Sequence, residues 1–70
     1  MRNPILDPPP FNRRVKCTIV SELSGAVETD ELVRVAEDDV TWRVASDNSE
    51  LNERAWTVIG WVYAPYEGTK

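Results

Sequence analysis

Hydrophobic and polar residues alternate along two clear stretches of the chain. The apolar positions of the first stretch, within residues 13–23, are Val15, Cys17 and Ile19. Those of the second are Val40, Trp42 and Val44. Side chains of a β-strand point alternately to opposite faces, so this period of two, rich in β-branched residues, predicts two strands with one buried face each. Cys17 is then expected to be a buried apolar residue rather than a nucleophile.

The segment between these strands favours a third strand. Residues 26–36 contain Val27, Leu32, Val33 and Val35. A helix over residues 28–37 is the alternative, because Thr29-Asp30-Glu31 could open one. Three consecutive carboxylates follow, and aspartate side chains cap nearby turn amides, which predicts a hairpin tip at Glu37, Asp38 and Asp39.

Residues 46–49 interrupt the alternation with four polar side chains. Asp47 is followed three residues later by Glu50, a spacing that resembles a capping box and predicts a short helical turn over residues 50–54.

The last element, residues 55–64, is the most apolar. A strict period of two places Trp56, Val58, Gly60 and Val62 on one face and Thr57, Ile59, Trp61 and Tyr63 on the other. Both faces are largely hydrophobic, which predicts a central strand or one covered on both sides. Gly60 indicates a bulge or a close backbone approach.

Four of the five prolines fall within residues 1–12. Proline fixes φ and lacks an amide donor, so we expect an extended arm that packs Ile5, Leu6 and Phe11 on the edge of the domain. The organisation is thus a proline-rich arm (1–12), a small β domain (13–65) and a polar tail (66–70). The fold class is mainly β, a single-domain antiparallel sheet of three to four strands with one short helical turn.

Composition excludes several classes of chemistry. The 70 residues include one cysteine and no histidine, so a histidine-dependent catalytic triad, a cysteine–histidine zinc site and a disulfide framework are all ruled out. The spacing of the acidic residues does not match a calcium loop. We therefore expect no enzyme activity, no metal and no cofactor. No stretch has the length of a signal peptide or a membrane span, which favours a cytoplasmic protein.

The net charge of −4 is the sum of segments of opposite charge. Residues 1–19 carry +3, whereas residues 20–53 carry ten acidic residues against two arginines, a charge of −8. An acidic patch at Glu37, Asp38 and Asp39 could dock on a basic surface of a partner. The alternative is a solvated surface that keeps the sheet soluble. Nucleic acid is an unfavourable partner for an acidic chain.

Aromatic residues are dense for this length. One interpretation places Trp61, Tyr63 and Tyr66 on an exposed face as an interaction surface. The alternative places two of the three tryptophans in the core and the third at an edge.

Two segments of the chain carry a family resemblance. Pro8-Pro9-Pro10 leads into Val15-Lys16-Cys17-Thr18-Ile19, and the chain later runs Val58-Ile59-Gly60-Trp61-Val62-Tyr63-Ala64-Pro65. In these segments it resembles small phage and prophage proteins of unknown function. The resemblance implies a phage accessory context and no particular chemistry.

Together these features predict a non-enzymatic protein-interaction module, a modulator or inhibitor of a host macromolecular machine. The alternative function is a structural homo-oligomer that uses the aromatic C-terminal strand as its subunit interface.

Overall fold

A computed structural model describes residues 1–37 and 40–64. They form one antiparallel sheet of four strands, in the order β3-β2-β1-β4. The strands are β1 (Arg14–Ser21), β2 (Val27–Glu37), β3 (Val40–Val44) and β4 (Trp56–Tyr63). The mainly β fold is confirmed, and residues 28–37 form a strand rather than a helix. Glu37 pairs with Val40, as expected for strands joined by a short hairpin.

The register of the strands gathers the apolar positions on one face, which we call the core face. Val15 is opposite Leu32, and Cys17 is opposite Trp61. Directly opposed residues of antiparallel strands project to the same side, so each pair extends the same cluster. That cluster consists of Val15, Cys17, Ile19, Leu32, Trp42 and Trp61. The alternation of β1 and β3 predicted its members from those strands.

The prediction for the faces of β4 is wrong. Thr18 pairs with Gly60 but Ile19 pairs with Val58, so Ile59 is an extra residue in a β-bulge. A bulge shifts the side-chain alternation by one position. Trp56 and Val58 therefore share the core face with Trp61 and Tyr63, from which a strict period of two separates them. In addition, β4 is an edge strand in the sheet order, not a central one.

Gly60 combines the two features expected of it. It lies beside the bulge, and a Cβ atom there would overlap the side chain of Met1. The missing side chain thus lets the first residue of the chain fold over β4 on the face opposite the core.

The N-terminal arm lies across the core face and alongside β4. The backbone amides of Arg2 and Trp61 each donate to the carbonyl oxygen of the other, at 2.8 and 2.9 Å. Pro9 is one of the largest fully buried side chains. The residues expected to pack, Ile5, Leu6 and Phe11, are instead exposed. The arm is held by its backbone hydrogen bonds and by the buried ring of Pro9. The hydrophobicity of its side chains does not predict this mode of attachment.

The helical turn predicted over residues 50–54 does not form there. The Asp47 carboxylate accepts hydrogen bonds from the amide and hydroxyl of Ser49, which is a turn rather than a helix cap. Glu50 forms an antiparallel bridge with Arg43. Helix-like bonds form later, where the amides of Ala55 and Trp56 donate to the Asn52 carbonyl.

The two leucines Leu32 and Leu23 provide a matched test of this core. Leu32 is fully buried and Leu23 is 91% exposed. We expect Leu32→Ala to lower the free energy of unfolding by about 2–5 kcal/mol, because it removes transfer energy and leaves a cavity. Leu23→Ala should change it by less than about 0.5 kcal/mol. Urea denaturation followed by tryptophan fluorescence measures both, and equal losses would contradict the assigned core.

Candidate partner-binding site

Two of the residues predicted to bind a partner, Glu37 and Tyr63, lie at strand ends on the same end of the sheet. Tyr63 is the last residue of β4, Glu37 is the last residue of β2, and antiparallel pairing through β1 brings these two strand ends to the same end. Since β1 lies between them, the axes of β2 and β4 are about 10 Å apart. Asp38, Asp39 and Tyr66 lie outside the described residues.

Trp61 does not occupy an exposed face. Only 1% of the residue is accessible, and its side chain belongs to the core cluster. The indole Nε1 donates a 2.7 Å hydrogen bond to the carbonyl oxygen of Asp7 in the arm. Trp42 is also buried and Trp56 is half-buried at the rim. The interpretation with two tryptophans in the core and one at an edge is therefore the one that the structure supports.

Tyr63 retains an exposed surface and a fixed position. It is 45% exposed, and its ring meets that of Trp61 edge to face with centroids 4.9 Å apart. The guanidinium carbons of Arg13 and Arg2 lie 4.5 and 5.5 Å from the Tyr63 ring centroid. Such cation–π contacts contribute about 0.5–1 kcal/mol each at exposed sites. We call Tyr63 with Arg2 and Arg13 the tyrosine clamp.

The two arginines of the clamp were not predicted as site residues. Arg2 belongs to the arm and forms an ion pair with Asp7 at 2.7 Å, which raises the pKa of Arg2 by hydrogen bonding and charge. Arg13 immediately precedes β1. Nothing in the local sequence links either residue to Tyr63, because the contact of Arg2 depends on where the arm crosses β4 and that of Arg13 on the pairing of β1 with β4.

Part of the charge separation along the chain is neutralised by strand pairing. Lys16 is directly opposite Glu31, and the Arg14 guanidinium forms an ion pair with the same Glu31 carboxylate. The basic first strand thus lies beside the first half of the acidic segment.

Both edges of the sheet are partly covered. On the β3 side, the Val44 amide donates to Ser49 and the Leu51 amide donates to the Trp42 carbonyl. On the β4 side, Arg2 pairs with Trp61. Covered edges disfavour strand addition by another chain, so a partner is better accommodated by the end of the sheet than by its edges.

Comparison with protein-family models, curated proteins and solved structures found no match for this chain. Among residues 1–37 and 40–64, no three cysteine or acidic side chains are grouped closely enough to hold a metal ion. In the same part of the chain, no helix is long and apolar enough to cross a membrane.

The Cys17 thiol lies at the centre of the core face, fully buried as predicted. Burial, with a smaller contribution from the Asp30 carboxylate, raises the pKa of Cys17 from 9.0 to about 12. The reactive thiolate is therefore scarce at neutral pH, and Cys17 acts as an apolar packing residue.

This shift of the Cys17 pKa predicts a pH dependence of stability. Between about pH 9 and pH 12 the unfolded thiol loses its proton while the folded one keeps it, so stability falls as pH rises. Relative to Cys17→Val, we expect the wild type to lose roughly 1 kcal/mol per pH unit in this window. Urea denaturation of both proteins at several pH values measures the difference, and parallel curves would contradict the burial of the thiol.

Proposed function

We propose that this chain is a non-enzymatic protein-interaction module. It binds a partner protein at the end of the sheet that carries the tyrosine clamp and the acidic residues Glu37, Asp38 and Asp39. The observation that carries the proposal is the half-exposed Tyr63, whose ring contacts two guanidinium groups and the Trp61 ring.

Rigid aromatic side chains are effective anchors because little conformational entropy is lost when they bind. The clamp supplies that rigidity before a partner arrives. The acidic residues at the end of β2 would attract a basic surface and increase the rate of association. Tyr63 is level with Leu32, five residues before Glu37, so the two strand ends are roughly 20 Å apart, which fits within one standard interface patch of roughly 800 Å² per partner.

The resemblance to small phage and prophage proteins supports a more specific proposal. The partner would be a component of a macromolecular machine of a bacterial host, which this chain would modulate or inhibit in the host cytoplasm. A protein of this size without a catalytic residue set acts most simply by occupying a surface.

The test is affinity capture from a bacterial lysate, with quantitative mass spectrometry and variants of the tagged full chain. A protein enriched by the wild type should be lost with Tyr63→Ala and retained with Tyr63→Phe, which keeps the ring. An anchor residue contributes about 2 kcal/mol or more, so the alanine variant should bind at least about thirtyfold more weakly.

The electrostatic part is tested with two triple variants of equal charge change. Glu37→Lys, Asp38→Lys and Asp39→Lys together should weaken binding and flatten its salt dependence. The control combines Glu22→Lys, Glu28→Lys and Asp47→Lys, which are exposed residues at the opposite end of the sheet. If the two triple variants bound the partner equally well, the acidic residues would not be part of the binding site. If Tyr63→Ala bound as tightly as the wild type, the tyrosine clamp would not be part of it.

One observation favours the alternative of a structural homo-oligomer. Strand β4 exposes Ile59 and Val62, at 43% and 42%, and apolar surface on an edge strand is a suitable subunit contact. Light scattering of the wild type separates the two functions, since a stable monomer at high concentration contradicts the oligomer.

A further inference from the structure

The proline-rich arm is held on the core face by polar contacts to its carbonyl oxygens. The Trp61 indole donates to the Asp7 carbonyl at 2.7 Å. The Arg34 guanidinium donates to the Pro9 carbonyl at 3.4 Å and lies 4.3 Å from the centroid of the Phe11 ring. Between these two anchors the ring of Pro9 is fully buried. We call the surface that contacts residues 7–11 of the arm the arm site.

These contacts have the chemistry of proline-rich peptide recognition. A polyproline segment forms no internal hydrogen bonds, so its carbonyl oxygens remain available to donors. Surfaces that bind such segments combine aromatic rings with donors aimed at those carbonyls. The arm site supplies both, because Trp61 offers an indole donor beside the Tyr63 ring and Arg34 offers a second donor two strands further along the sheet.

We propose that the arm site is a binding site for extended proline-containing segments of a partner protein, and that the arm is its tethered occupant. A partner segment would bind by displacing residues 7–11. The arm site adjoins the tyrosine clamp through Trp61 but does not use Tyr63 itself, so the inference stands whether or not Tyr63 binds a partner.

The arm has the features of a displaceable occupant. Ile5 and Leu6 are 86% and 84% exposed, so the middle of the arm contributes little burial. A groove of about 290 Å³ beside the arm is lined by Pro4 and Ile5 on one side and by Trp42 and Trp56 on the other. Release of the arm would widen this groove.

Tethering favours a partner segment over the arm of a second copy. A short flexible tether gives the arm an effective concentration on the order of millimolar. An identical arm on another molecule has the same intrinsic affinity, so at micromolar concentration it cannot compete. A partner segment that makes additional contacts in the groove can compete.

The experiment uses the full chain and a fluorescent peptide with the sequence of residues 1–12, labelled at its C-terminal end. In Pro9→Glu a carboxylate replaces the buried ring, so the tethered arm should leave its site. Leu6→Glu is the matched control, because it adds the same charge at an exposed position of the arm. By fluorescence anisotropy, the peptide should bind Pro9→Glu at least about tenfold more tightly than the wild type or Leu6→Glu.

A gain of binding caused by a change in the arm shows that the arm site accepts an untethered segment once its own occupant is released. A labelled peptide that itself carries Pro9→Glu should not bind any of the three proteins. No binding of the native peptide to a folded Pro9→Glu protein, or equal binding to Leu6→Glu, would overturn the proposal.

Two measurements keep the test decisive if Pro9→Glu unfolds without its arm. Excess native peptide should then raise the melting temperature of the variant, since a ligand that binds only the folded state stabilises it. In ¹⁵N-labelled wild type, about 10 mM unlabelled peptide should shift the Asp7 and Phe11 amide signals toward unstructured values while the Trp61 indole signal remains hydrogen-bonded. Failure of both effects would overturn the proposal.

Discussion

The structure depends on covering Trp61. This residue lies on an edge strand of a single sheet, where a large indole would otherwise be half exposed to water and where covering it with apolar groups alone would leave the Nε1–H donor without a partner. The N-terminal arm solves both problems, because its backbone pairs with Trp61 and its Asp7 carbonyl accepts the indole hydrogen bond. The same contact places Arg2 beside Tyr63, so the cover of the core and the tyrosine clamp arise together.

The bulge at Ile59 makes this arrangement possible. Without the extra residue, Trp61 and Tyr63 would point away from Trp56 and Val58, and β4 would divide its aromatic residues between two faces. Because of the bulge, the side chains of Trp56, Val58, Trp61 and Tyr63 all lie on the core face. Gly60 supports the adjustment, since its missing side chain leaves room for Met1 above the strand.

Burial and exposure divide the aromatic residues by role. Trp42 and Trp61 stabilise the sheet, and burial removes them from direct contact with a partner. Tyr63 keeps a solvent-exposed surface, while its ring contacts Arg2 of the arm, Trp61 of β4 and Arg13, the residue before β1. A small single-layer domain can therefore offer a rigid anchor although its core is limited.

The sequence alone determined the strands and much of the core, because alternation with a period of two is a local signal. Val15, Cys17, Ile19 and Trp42 were all assigned to the buried face in this way, and Gly60 marked the bulge. The faces of β4, the docking of the arm and the partners of Tyr63 were decided only by the tertiary structure. They depend on one inserted residue in the ladder and on contacts between segments more than forty residues apart, such as Asp7 with Trp61. The sequence pattern reveals neither the bulge nor these contacts. A bulge interrupts the alternation of side chains, and a hydrogen bond to a backbone carbonyl does not depend on the type of residue that carries it.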